Sequence, residues 1–215
     1  MTLRTQQTCA AVAPFAVWMA LLMALPAKAE MYAVRTAVVG LLMLGLCLGF
    51  RPWRQAIRSF RPSFWGLAVG FLVLFLWVWP EQFAFYRQYC ILGSPSTVEV
   101  DHGSKLLLGL QLLGSAFVIA PAEEIFYRHF LYRWLDRTAG HWTEASGTRF
   151  DLSAFLWTVG LFAVGHNRLV VGVMAGVLYK LLAIKKGLGA SVVAHVTTNL
   201  ALGLYVLQTG NWQFW

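Results

Sequence analysis

The residues of this chain best suited to chemistry are Glu123 and Glu124, adjacent acids that follow the apolar run LLGSAFVIA with almost no linker. An ionised carboxylate at membrane depth costs about 2.5–3.5 kcal/mol even on insertion scales, so something must neutralise or solvate it. Helical spacing supplies a partner for one of the two. Glu124 and Arg128 stand four residues apart and meet on one helix face, whereas Glu123 projects about 100° away. Arg128 can hold one acid ionised while the other sits in different surroundings. Acids in unequal environments are a recurring arrangement for acid–base work. The plain alternative is a helix start, with Pro121 in the first turn and the acids complementing the helix dipole.

Two further pairs at the same spacing follow. Phe162 and His166 close the run LWTVGLFAVGH, so the imidazole shares a face with an aromatic ring. His195 and Asn199 lie within LGASVVAHVTTNLALGLYVL, where two polar groups on one face are costly without partners. Each pair has a bland reading as well: an interface or core histidine for His166, and a structural interhelical hydrogen bond for His195 and Asn199. Taken together, the six polar groups suit amide hydrolysis. Glu123 would deprotonate a water, assisted by His166. His195 and Asn199 would stabilise the oxyanion, and Glu124 with Arg128 would orient Glu123. Two His and two Glu could also ligate zinc, but the HExxH spacing is absent and Arg128 disfavours a cation, so neither metal nor other cofactor is expected. A serine mechanism lacks its GxSxG, and Ser115 and Ser191 read as small packing residues.

These residues need elements to hold them, and composition names the kind. Of 215 residues, 59% are hydrophobic and 12% charged, with mean hydropathy +0.62. A soluble domain carries about 25% charged residues. The chain therefore reads as an all-α polytopic transmembrane helical bundle of about seven or eight helices, since only helices or closed barrels satisfy the backbone in lipid. Seven candidate spans lie at about 9–27, 32–50, 63–80, 105–121, 151–166, 168–183 and 189–207, with an eighth helix over 122–136 continuing from the fourth. Residues 1–104 would supply three spans without a motif and an outer loop, 105–207 the motif-bearing core, and 208–215 a short tail.

The net charge of +8 falls mostly at the ends of apolar runs, where basic residues set topology and meet lipid headgroups rather than nucleic acid. Arg51, Arg54, Arg58 and Arg61 place their loop on the cytoplasmic side. Arg128, Arg133 and Arg137 then share that side, followed by Lys180, Lys185 and Lys186. The loop 81–104 and the ending GNWQFW fall outside; Lys28 and Arg35, also outside, run against the rule. Ala27-Lys28-Ala29 imitates a signal-peptide cleavage site, but the poor basic region before it favours a retained first helix. Gly45/Gly49, Gly66/Gly70 and Gly172/Gly176 read as tight-packing faces within the chain. Trp53, Trp65, Trp77, Trp79, Trp212 and Trp215 read as interface anchors. Cys9, Cys47 and Cys90 have no CxxC spacing and read as small apolar residues.

Glu123-Glu124…Arg128, Phe162…His166 and His195…Asn199 resemble the EExxxR, FxxxH and HxxxN pattern of the CPBP intramembrane proteases, which include the type II CAAX prenyl endopeptidases. The resemblance covers roughly residues 105–205. It implies a metal-independent glutamic peptidase of a bacterial cytoplasmic membrane, with the first Glu activating water and the two His and the Asn assisting. The segments APFAVWMALL and GLYVLQTGNWQFW further resemble the CAAX protease-related branch that accompanies exosortase sorting systems. That implies a membrane-tethered protein substrate with a C-terminal sorting helix. Two other function classes use the same buried acids: a non-catalytic membrane binder, such as an immunity or assembly factor, and a proton-coupled transporter. The chain lacks the paired broken-helix repeats of many carriers.

Overall fold

A computed structural model describes residues 3–49, 63–91, 104–136 and 150–214. The arginine loop 51–61, Trp53, Arg137 and Trp215 lie outside the described residues. Eight helices and no sheet are present among the described residues. They are α1 (Leu3–Ala24), α2 (Ala29–Gly49), α3 (Phe64–Val78), α4 (Ala84–Tyr89), α5 (Lys105–Leu135), α6 (Leu152–Val164), α7 (Leu169–Lys186) and α8 (Leu188–Thr209). A 3-10 turn, Trp79–Gln82, extends α3, and another, Trp212–Phe214, follows α8.

Seven spans were expected, and five helices are long and apolar enough to cross a bilayer: α1, α2, α3 with its extension, α5 and α8. With 13 residues, α6 reaches only about 20 Å, short of a hydrocarbon core of about 30 Å. Helix α7 carries Lys180, Lys185 and Lys186. The fourth span and the eighth helix form one 31-residue helix, α5. Pro121 therefore sits inside it, and the acids do not begin a helix. The helix-start alternative falls with that observation.

Packing around α8 organises the bundle. Gly66 and Gly70 on α3 face it so closely that an added Cβ would come within 2.8 Å of Val193 and 2.6 Å of Thr197. Gly172 and Gly176 likewise let α7 approach α6, with Ala163 and Phe162 at 3.1 and 3.2 Å from the missing Cβ positions. Gly45 and Gly49 have open space within 4 Å, so that expected packing face is unused among the described residues. Gly187, at φ 88°, lets α7 turn directly into α8. The start of α6 is fixed by Asp151, whose Oδ1 accepts from the Ala154 N–H at 2.6 Å. The Asp151 N–H donates to the Tyr132 hydroxyl at 2.9 Å, tying that cap to α5.

The motif-free helices reach the same centre. On α1, Phe15 stacks on Phe126 of α5 at 4.5 Å. Two basic residues read as topology signals are instead buried: Arg35 donates to the Pro26 carbonyl at 2.7 Å, and the Lys180 ammonium lies 3.1 Å from the Tyr132 ring centroid. Long aliphatic stems let such residues pack inward when a carbonyl or a ring face meets the charge. Trp65 and Trp79 are exposed, as interface anchors are.

Candidate active site

The site is built on an irregular stretch of α5. A proline inside a helix removes one N–H and crowds the preceding turn. Here the turn before it is widened: Ser115–Ile119 is π-helical, and the Ala120 N–H reaches back five residues to the Ser115 carbonyl. A second π-helical segment, Ile125–Leu131, follows the acids. Such widened turns recur at functional sites. The Ser115 carbonyl also accepts from Asn199 Nδ2 at 2.9 Å, so this turn is where α8 is tied to α5.

Glu124 is wholly buried. Its Oε1 accepts from His195 Nδ1 at 2.9 Å and pairs with Arg128 Nη1 at 3.4 Å. Its Oε2 accepts from the Ser191 hydroxyl. A carboxylate this buried thus has a cation and two further donors, which is what tolerating its charge requires. The Arg128 guanidinium lies 4.1 Å from the Phe162 centroid, and its nitrogens have no hydrogen-bond partner among the described residues. It is held by the ion pair and by ring faces.

His195 joins the two acids. With Nδ1 committed to Glu124, its Nε2 faces Glu123 Oε2 at 3.8 Å. The Tyr179 ring stacks on the imidazole at 4.9 Å, and Phe162 meets it edge-on at 5.8 Å. These rings leave the imidazole little freedom to rotate. His166 is oriented by its own helix end: Nδ1 donates to the Phe162 carbonyl at 2.8 Å, leaving Nε2 as the acceptor of the neutral ring. Phe162, itself buried, touches Arg128 and both imidazoles, and so acts as a common spacer.

A cavity of about 180 Å³ opens among these groups, lined by Glu123, His166, His195 and Asn199 together with Ser115, Trp77, Leu202 and Phe214. That is room for several waters. Glu124 and Arg128 are absent from its wall and stand behind His195. All seven residues singled out by spacing are thus brought together, in two tiers. Among the described residues, no three His, Cys, Asp or Glu side chains form a metal-ligand group.

Four participants were missed or misread. Ser191, read as packing, donates to Glu124. It precedes His195 by four residues and Asn199 by eight, so a polar stripe on α8 was its available signal. Tyr179 donates to Thr198 Oγ1 at 2.7 Å, and the Thr198 hydroxyl lies 2.9 Å from the Gly70 carbonyl, which it can donate to. Trp77, read as an interface anchor, lines the cavity and meets His166 edge-on at 5.6 Å. Its position at the end of an apolar run carries no signal that separates the two roles.

Residues 105–201 match the family model described as type II CAAX prenyl endopeptidase Rce1-like. The matched segment begins at α5 and ends within α8, so it contains every residue of the three motifs. The match supports an intramembrane protease and is consistent with the CPBP family; it does not reach the sorting-associated branch. No curated protein and no solved structure matches the chain.

Proposed function

We propose that this Rce1-like CAAX endopeptidase segment hydrolyses a peptide bond in or near a membrane-anchored C-terminal segment, with Glu123 as the base that activates water. One observation carries the reading: Glu123 lines the cavity, whereas Glu124 is sealed behind it by Arg128, Ser191 and His195. Only the first acid can meet a water and a substrate together.

Glu123 takes a proton from a water in the cavity, and the hydroxide attacks the scissile carbonyl carbon. His166 presents Nε2 on the same wall and assists in holding that water. The negative charge moves to the carbonyl oxygen, where Asn199 can donate, and where His195, its Nδ1 held by Glu124, donates from Nε2 when both ring nitrogens carry hydrogen. Asn199 spends one amide hydrogen on the Ser115 carbonyl and keeps a second. The intermediate collapses as the C–N bond breaks, and Glu123 returns its proton to the leaving nitrogen. Glu124 and Arg128 support this sequence through His195, whose Nδ1 they hold. Their orienting effect on Glu123 therefore passes through an imidazole.

The proposed mechanism needs no metal, because proton transfer and oxyanion stabilisation are both supplied by side chains. The proposed substrate is a membrane-tethered protein of a bacterial cytoplasmic membrane, a C-terminal sorting helix being the first class to try. Purified protein reconstituted in lipid is expected to cut such a reporter in the presence of a chelator. Glu123→Gln is expected to abolish cutting; full activity in that variant would overturn the mechanism.

A further inference from the structure

The cavity wall includes Phe214, which belongs to the three-residue turn after α8 rather than to a spanning helix. Gly210, at φ 70°, ends α8 and lets the chain turn back over its own last residues. Phe214 is buried against Leu202 and Val206. What seats it there is polar. Arg168, between α6 and α7, pairs through Nε with Glu81 and donates from Nη2 to the Gln213 carbonyl at 2.9 Å. Gln213 Nε2 donates to the other Glu81 oxygen at 3.1 Å. The Arg168 guanidinium carbon stands 4.7 Å from the Phe214 centroid. Arg87 on α4 donates to the Glu81 carbonyl at 2.5 Å, fixing the acid from behind.

Glu81 and Arg168 are both buried, and a buried ion pair contributes little net stability while specifying geometry closely. Here the geometry specified is the position of one ring. The cavity it borders, about 180 Å³, is small beside the roughly 300–1,000 Å³ of sites that enclose a ligand. A polypeptide segment cannot enter without widening it. The helices that form the other walls are packed on one another. The turn 212–214 is the short element among them, and Gln213 ties it to Glu81 and Arg168.

We propose that Phe214, seated by the Glu81–Arg168 pair, determines how large a group the cavity admits. As a statement about substrate choice this rests on the protease reading above; as a statement about admission it does not. The test uses the full chain with Cys9, Cys47 and Cys90 replaced by Ser and with Ala175→Cys, a position on the cavity wall. Labelling rates are measured with a small methanethiosulfonate reagent and a bulky fluorescent maleimide. Phe214→Ala is expected to raise the bulky-to-small rate ratio about tenfold, and Phe214→Trp to lower it. Arg168→Gln should act like Phe214→Ala with the ring intact. Phe214→Leu, a gentler change, should move the ratio in the same direction and serves if the alanine variant fails to fold. A ratio within twofold of the parent in the folded Phe214 variant would overturn the proposal. Loss of reporter cleavage in Glu123→Gln, together with an unchanged labelling ratio in the Phe214 variants, leaves the protease and removes the selector. A shifted ratio in a parent that cuts no reporter does the reverse.

Discussion

Two buried carboxylate–guanidinium pairs stand behind residues that line the cavity, His195 for one and Phe214 for the other, and they differ in what surrounds them. Glu124 and Arg128 lie one turn apart on α5, and the acid is shared with His195 and Ser191. Glu81 and Arg168 are 87 residues apart and are shared with Gln213 and the Phe214 ring. Each pair carries the cost of burying charge. Only the first leads through an imidazole to a second acid on the cavity wall; the second leads to an apolar ring. A buried ion pair is therefore not by itself a sign of chemistry. Its meaning comes from the group it holds.

The sharpest way to break this contrast is Glu124→Ala. It leaves Arg128 buried without its acid and His195 without its Nδ1 acceptor, and a stranded buried charge costs about 3–5 kcal/mol. Both thermal stability in detergent and reporter cleavage should fall. Glu123→Gln should separate the two quantities. Its carboxylate lies 3.8 Å from His195 Nε2, makes no short hydrogen bond among the described residues and faces the cavity, so the melting temperature should stay near the parent's while cleavage drops by about 10²–10⁴-fold. If both variants lose stability equally, the two-tier arrangement is wrong.

Glu81→Gln tests the other pair. The amide keeps an acceptor for Gln213 but removes the charge beside Arg168, so stability should fall by about 2–4 kcal/mol, at or below the cost of stranding a buried charge. Cleavage of small reporters should persist, because no group on the path from Glu124 to Glu123 is touched. Abolished cleavage in a folded Glu81→Gln protein would make the second pair part of the chemistry.

How far these features could be read in advance follows from the same contrast. Glu124–Arg128, Phe162–His166 and His195–Asn199 are each four residues apart, and helical geometry alone puts each pair on one face. The all-helical bundle follows from composition in the same way. The Glu81–Arg168 pair joins a 3-10 turn to an interhelical loop, and no periodicity links residues so placed. Lys180 and Arg35 were misread because a basic residue near the end of an apolar run looks the same whether it meets lipid headgroups or folds inward. Trp77 was misread for the same reason.

Ser191→Ala sharpens the catalytic side on a smaller scale. Glu124 keeps Arg128 and His195 but loses one donor to a buried carboxylate, a cost of about 1–3 kcal/mol. Cleavage should weaken without vanishing. A variant as stable as the parent would mean that Ser191 donates to the alternative acceptor within reach, the Tyr179 carbonyl at 3.0 Å.

Tyr179→Phe should have the smallest effect. The ring that stacks on His195 remains, and only the hydroxyl that donates to Thr198 is removed. Thr198 can still donate to the Gly70 or Ala194 carbonyl, so no buried donor is stranded. The loss should be about 0.5–1.5 kcal/mol, the net worth of one neutral hydrogen bond. Tyr179→Leu keeps apolar bulk but removes the flat face, and His195 then loses one of the two rings that limit its rotation. If stacking orients the imidazole, the leucine variant should lose kcat well beyond the phenylalanine variant, with KM nearly unchanged. Equal losses in the two would assign the effect to the hydroxyl, and through Thr198 to the α3–α8 contact at Gly70.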